Sequence, residues 1–406
     1  MDTAAATAAQ ERAMRRNVWL LFCCQALIHA TMSGQVTMAA LIGHTLSGDK
    51  ALATLPVAVQ MTAVMAASIP AGIVFSRLGR RAGFTLGALS STAGALLSAL
   101  AIWRADFLLY CVASAFVGGG FGIGQHYRFA AAEVATPEYR ARAISLVMAG
   151  GVISAFLGPE LVKHTRDLGA PYLFLGTYLA LAALPLVCLG VLAAAVLPPP
   201  PAREKAATPI GTILSRPAFV TAAVVGLVAF GTMNLVMTST PVEMTLFCGF
   251  AFSDSATVIQ AHAVAMYAPG FVTGSLIGRF GAARIIAAGA AMTALCVAVG
   301  LGGASFWHFA VALALLGAGW NFMFVGATTL LATAYRPEER MRAQAANDFI
   351  VFGTTACTAF LSGVLHAKAG WAGLNLALLP PLAVALALLA WFRRRQRAAA
   401  AAVAPA

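Results

Sequence analysis

The chain has 406 residues, of which 60% are apolar and only 10% charged, and its formal net charge is +12. A soluble domain carries about 25% charged residues, so this composition cannot wet a globular surface and excludes a soluble enzyme, a disulfide-stapled secreted scaffold and a disordered chain. A membrane helix needs about 20 apolar residues, and the apolar content allows about twelve of them. Mean hydropathy is +0.84 and the isoelectric point about 9.9. The basic residues lie in short loops between apolar runs, which points to membrane orientation rather than to a nucleic acid partner. Seven cysteines are scattered without a CxxC pair, so no disulfide framework is read.

Residues 1–17 are Ala-rich and polar and read as an N-terminal tail. The apolar run that follows is too long for a signal-peptide core and is read as a retained first span. Apolar stretches then recur at about 18–43, 52–76, 82–103, 107–133, 142–163 and 171–197. Residues 198–217 break the pattern with four prolines, Pro198 to Pro201, followed by Arg203, Glu204 and Lys205, and read as a polar linker. Six more stretches follow at about 218–244, 255–278, 282–303, 307–334, 343–366 and 371–392, before a basic tail at 393–406. Backbone polar groups must be satisfied internally in lipid, so each stretch is a helix. The expected fold is an all-α membrane protein with twelve transmembrane helices in two six-helix halves, 18–197 and 218–392.

Loop charge sets the orientation. With the N-terminus inside, 20 Lys/Arg fall on the cytoplasmic side and 5 on the other, Lys50, Arg104, Lys163, Arg166 and Lys368, while Arg128 lies within a span. Both termini are therefore expected in the cytoplasm.

The halves repeat. Gly72-x4-Arg77-x-Gly79 recurs as Gly274-x4-Arg279-x-Gly281, offset by 202. Pro137-Glu138-x-Arg140-x-Arg142-Ala143 recurs as Pro337-Glu338-x-Arg340-x-Arg342-Ala343, offset by 200. Parallel six-helix repeats place a substrate site near the midplane. On these motifs the chain resembles the major facilitator superfamily over nearly its whole length. Its segment from Gly72 to Arg81 is similar to that family's signature between helices 2 and 3, with Ser76 where the family has an acidic residue. The resemblance implies transport by alternating access, with helices 1, 4, 7 and 10 lining the cavity.

The spans are rich in sulfur and imidazole. Met233 and Met237 share one face of helix 7, and His262 and Met266 share one face of helix 8. Helix 1 carries His29, Met32 and Met38, helix 2 Met61 and Met65, helix 4 His126 and helix 10 Met323. Thioether and imidazole suit copper; hard cations want oxygen ligands, which are scarce here. Each residue also has a plain reading: Met as a gap-filler, and His262 as a bridge to a backbone carbonyl of a neighbouring helix. The order of the Met233/Met237 and His262/Met266 pairs is similar to the paired motif of the CcoA-type copper importers, a bacterial branch of the superfamily. That resemblance implies Met233, Met237, His262 and Met266 as metal ligands; the remaining sulfur and imidazole groups, His29, Met32, Met38, Met61, Met65, His126, Met323 and Cys248, are accessory candidates by residue type. It also implies copper as transported substrate, uptake across the bacterial inner membrane, supply of cbb3-type cytochrome oxidase assembly, and a copper chaperone as partner. A monomer and no tightly bound cofactor are expected.

Other charges have two readings. Arg128, Glu133 and Asp348, with Arg77 and Arg279 in the loops, read as a gating or charge network or as a bundle-locking ion pair. Glu160 reads as a coupling carboxylate, and Cys248 in an outer loop as a copper relay or an idle thiol. The alternative function is transport of a small hydrophobic organic solute or drug, favoured by the apolar cavity and Arg128. A membrane sensor would need an output domain larger than either tail, and no nucleophile–base pair points to an enzyme.

Overall fold

Helix α1 (Asp2–Leu46) begins well before its apolar stretch, because the Ala-rich N-terminal segment is itself a strong helix former. The residues predicted as a tail at 1–17 are therefore, from Asp2 on, the first turns of a continuous helix. The structure, a computed structural model, describes residues 2–48, 52, 55–199 and 208–403. The remaining helices are α2 (Leu55–Arg104), α3 (Phe107–Gly124), α4 (Tyr127–Val134), α5 (Arg140–Thr165), α6 (Leu175–Ala194), α7 (Ile210–Leu214) and α8 (Pro217–Val242). A π-helical turn (Glu243–Phe247) extends α8, and α9 (Phe252–Tyr267), α10 (Gly270–Phe280), α11 (Ala282–Gly302), α12 (Phe306–Leu331), α13 (Arg340–Leu376) and α14 (Leu379–Val403) complete the chain. No strand occurs among the described residues.

These helices accommodate all twelve predicted spans. At 1.5 Å per residue the 50 residues of α2 measure about 75 Å, enough for two crossings of a bilayer core of about 30 Å. Its two spans meet at Gly79, where φ is 84°. Span 4 is α3 plus α4, and span 8 is α9 plus α10. Span 6 starts at Leu175 rather than 171, because Phe174 at its N-cap has φ 68° and is not helical. Part of the predicted linker, 200–207, lies outside the described residues, and the short α7 follows it. Eight helical stretches among the described residues are long and apolar enough to cross a membrane. Span 1 is diluted by Gln25, His29 and Gln35, and span 8 is divided into helices of 16 and 11 residues.

Contacts group the chain into two units, Met1–Arg203 with Gln344–Phe349, and Glu204–Ala343 with Ile350–Ala406. In the first, α1 packs on α5 and α6, and α2 packs on α3. An apolar cluster there includes Met38, Ile42 and Leu181, and the hydroxyls of Tyr110 and Tyr178 satisfy each other within it at 2.6 Å. In the second, α12 is central and packs on α8, α9 and α11. Large apolar side chains such as Leu86, Leu89, Leu96 and Trp103 face outward, while Gln25, His29, Gln35, Gln60 and Arg128 are buried. This polar-inside pattern is what a lipid environment requires.

Candidate functional site

The first unit holds two buried ion pairs. Gly79 turns the chain so that Arg80 points inward. Its guanidinium is 2% exposed, lies over the Phe75 ring at 4.6 Å, and donates to Glu133 at 2.5 Å and to Gln344. Arg128, at the start of α4, donates to the Gln125 carbonyl at 2.7 Å and to Asp348 Oδ1 at 2.5 Å, and lies over the Phe129 ring at 4.4 Å. Asp348 also accepts from Asn347 at 3.0 Å, and His126 Nε2 stands 3.8 Å from its other oxygen. Asp348 is on α13, but it lies in the Gln344–Phe349 segment that packs with the first unit.

The expected charge network is thus built on two ion pairs, Arg80 with Glu133 and Arg128 with Asp348. Glu133 is held by Arg80, and Arg77 and Arg279 are exposed, with no ion pair among the described residues. By sequence alone Arg80 is one of the 20 basic residues assigned to the cytoplasmic side. The signal that could have found it is Gly79, since a positive-φ glycine before two arginines redirects the next side chain.

The second unit carries the helix 7 and helix 8 residues. Met233 is buried on α8, and Met237, one turn on, is half-buried. His262 is 1% exposed on α9, and its Nδ1 bonds the Leu313 carbonyl of α12 at 2.7 Å. This is the helix-bridging arrangement, and it leaves Nε2 without a hydrogen-bond partner among the described residues. Met266 is buried, and its carbonyl accepts from Asn321 at 2.7 Å. The backbone of this stripe lies against Gly317, where an added Cβ would come within 2.8 Å of the His262 carbonyl oxygen. The His262–Met266 face is therefore the face that α9 packs on α12.

Several accessory candidates have packing or hydrogen-bonding neighbours of their own. His29 meets Gln25 at 2.6 Å and the Phe121 ring at 4.6 Å. The Met32 sulfur accepts from Gln60 at 2.7 Å, Met38 lies in the apolar cluster, and Met323 is fully buried beneath Gly289. Met61 and Met65 are half-buried on α2. The Cys248 thiol lies 3.9 Å from Glu243 Oε1, and burial together with that carboxylate pushes its pKa up, away from the thiolate a soft metal needs. Glu160 is an exposed residue beside Lys163 and His164. No group of three or more His, Cys, Asp or Glu suited to a metal occurs among the described residues.

Around Met233 and Met266 lies a feature that sequence reading missed. Phe230 of α8 is three residues from Met233, hence on the same face. Its ring lies 5.2 Å from Trp320, 4.7 Å from Phe324 and 5.3 Å from Phe352. Tyr267 of α9 meets Trp320 at 5.7 Å, and Trp320 stacks on Phe324 at 5.3 Å. Trp320 is 2% exposed, and its indole N–H has no acceptor among the described residues. Buried Trp N–H groups ordinarily find a partner, so this donor stands out. Beyond the aromatics, a polar seam joins α8 to α13: Asn234 donates to the Thr355 carbonyl at 2.9 Å, Ser239 meets Ser362 at 2.6 Å, and Glu243 meets His366 at 2.6 Å.

The sequence matches the Major Facilitator Superfamily over residues 21–269 and 249–406. The chain belongs to that superfamily. It is a multi-pass membrane transporter. It is 39% identical to the riboflavin transporter RfnT of Brucella anthropi, across 92% of this chain and 95% of that one. It is 27% identical to an uncharacterized MFS-type transporter, YddS, of Bacillus subtilis, across 95% of this chain and 93% of that one. Among solved structures, the superfamily transporter FucP in its outward conformation superposes with a TM-score of 0.77 over 92% of this chain and 97% of that one, at 16% identity. One full-length relative is thus named as a riboflavin transporter, and the resemblance to CcoA-type copper importers finds no support among these relatives.

Proposed function

We propose that this protein carries riboflavin, or a flavin of the same shape, across the membrane. The observation that carries this reading is the 39% identity to a riboflavin transporter over nearly the full length of both chains. The chemistry of the second unit supports it. Riboflavin pairs a flat tricyclic ring, edged by carbonyl and ring-nitrogen acceptors, with a polyol tail. The cluster of Phe230, Tyr267, Trp320, Phe324 and Phe352 supplies aromatic faces, and the Trp320 N–H supplies an uncommitted donor for a ring acceptor. The Lys/Arg asymmetry supports an inner-membrane orientation with both termini in the cytoplasm.

Copper import through Met233, Met237, His262 and Met266 is a second reading, and the free Nε2 of His262 is the observation that favours it. An inner-membrane importer feeding a copper chaperone belongs to that reading alone. Purified protein in proteoliposomes decides between the two. Accumulation of radiolabelled riboflavin that unlabelled flavin competes away and copper does not is the expected result. Absence of riboflavin flux alongside uptake of radioactive copper overturns the flavin reading.

A further inference from the structure

The second copy of the internal repeat leaves open a space that the first copy fills. In the first unit Arg81 reaches the end of α6, donating to the carbonyls of Ala193 at 3.3 Å and Ala195 at 2.5 Å. Its neighbour Arg80 is held by Glu133 and Gln344. Both cations therefore have protein acceptors. The repeat offset of 202 puts Ala283 at the position of Arg81. Spans 3 and 6 correspond to spans 9 and 12, so the equivalent of the Arg81 bridge lies between the start of α11 and the end of α14. A cavity of about 430 Å³ opens there.

Its lining suits an anion with an apolar tail. The first turn of α11, from Gly281 to Arg284, forms one wall, and Gly281 at the N-cap provides no side-chain cap for the N–H groups that a helix start leaves free. Arg284 and Arg393 line the cavity as well. Neither has an ion-pair partner among the described residues, and Arg284 makes only a 3.5 Å contact to the Phe280 carbonyl. Phe280, Leu330 and Phe392 supply apolar wall. The cavity sits at the arginine-rich ends of its helices, beside Arg279, Arg394 and Arg395, where a span emerges among lipid headgroups.

We infer that this cavity binds the phosphodiester headgroup of an anionic membrane phospholipid. The N–H groups of α11 with Arg284 and Arg393 hold the phosphate, and an acyl chain leaves along Phe280 and Phe392. Free phosphate shares the headgroup chemistry but makes no use of the apolar wall.

The test uses the full chain, purified in detergent and stripped of lipid. It is titrated separately with phosphatidylglycerol, phosphatidylcholine and inorganic phosphate, and followed by native mass spectrometry and melting temperature. Phosphatidylglycerol is expected to bind and raise the melting temperature, while the other two do not. Arg284→Gln combined with Arg393→Gln should weaken phosphatidylglycerol binding roughly tenfold or more. Ala283→Arg should restore the bridge of the first copy, abolish lipid binding and leave the melting temperature at or above that of the unmodified protein. If Ala283→Arg does not fold, the double glutamine variant decides. Equal binding of the two lipids, equal stabilisation by millimolar inorganic phosphate, or undiminished phosphatidylglycerol binding in the double glutamine variant overturns the inference.

Discussion

Arg128 donates to Asp348 Oδ1 at 2.5 Å, and neither side chain has any solvent exposure. Two charges taken out of water are tolerable only together, since each would otherwise stand uncompensated in a low-dielectric interior. Arg128→Ala should therefore destabilise the protein by about 3–5 kcal/mol, and Arg128→Ala with Asp348→Ala by much less than the sum of the two single changes. Thermal unfolding of the three variants in detergent checks this. Additive losses would show that the two groups do not depend on each other.

Trp320 separates packing from recognition. Trp320→Phe keeps an aromatic face in the cluster and replaces the indole by a smaller ring without the N–H. Since that donor has no acceptor among the described residues, the variant loses no internal hydrogen bond, and its smaller ring should cost less stability than full truncation does. A hydrogen bond to substrate is worth about 0.5–1.5 kcal/mol, so riboflavin KM should rise roughly 2- to 12-fold. Trp320→Ala should instead lose about 3–5 kcal/mol of stability through the cavity it leaves. Uptake by matched amounts of folded protein reads both effects, and an unchanged KM in Trp320→Phe removes the indole from the substrate site.

His262 tests the helix-bridging role directly. His262→Ala leaves the buried Leu313 carbonyl without the ring nitrogen that meets it at 2.7 Å, at a cost of about 1–3 kcal/mol. Under the flavin reading, the variant loses stability while copper binding per folded molecule is the same as in the unmodified protein. Isothermal titration of both proteins with copper measures this. A site of submicromolar affinity lost only in the variant would return His262 to the metal reading.

The spans and their repeat were legible because lipid imposes one rule on every segment: an apolar run must be a helix, and its ends carry the charges. Gly79 and Gly281 share φ 84°, and α5 and α13 start at Arg140 and Arg340, so both sequence motifs mark the same local structure twice. The aromatic cluster was not legible. Phe230, Tyr267, Trp320 and Phe352 stand on four different spans, and none forms a local pattern; only the packing of α8, α9, α12 and α13 brings them together. Methionines four apart did form a pattern, but the spacing reports a shared face and not what that face meets. Met266 illustrates this, since its helix face turned out to be the contact with α12.

Glu339 gives a pH signature outside the membrane. It sits at the N-cap of α13, where Arg216 donates to its two oxygens at 2.5 and 2.8 Å and the Arg336 N–H adds a third bond at 2.9 Å. Chiefly through Arg216, and against the effect of burial, its pKa falls from an ordinary 4.5 to about 2. A carboxyl whose folded pKa is depressed contributes stability that is fully present above the unfolded value and is lost as pH falls through the folded one. The window here runs from about pH 4.5 down to about pH 2. Glu339→Gln should melt lower than the unmodified protein at pH 7 and lose less on acidification, so the two melting curves converge as the pH drops. Parallel curves from pH 7 to pH 3 would mean that Glu339 is not the titrating group.

The repeat glycines make a sharper test of backbone strain, because α10 contains its own control. Gly281 has φ 84° and open space where a Cβ would stand, so any penalty for Gly281→Ala comes from the backbone and not from a clash. A side chain held at φ 84° and ψ 149°, a region essentially restricted to glycine, costs about 1–3 kcal/mol. Gly278, three residues earlier, also has open space at its Cβ position but lies inside the helix. There alanine should stabilise by up to about 1 kcal/mol, because it restricts the unfolded chain and favours the helix. The two substitutions add the same methyl group within one helix end, yet they should move the melting temperature in opposite directions. Gly281→Asn should destabilise much as Gly281→Ala does, since φ 84° with ψ 149° lies outside the left-handed helical region that asparagine tolerates. If Gly281→Ala and Gly278→Ala shift the melting point alike, the turn between spans 8 and 9 does not need its positive φ, and the recurrence of glycine at Gly79 and Gly281 would have no backbone explanation.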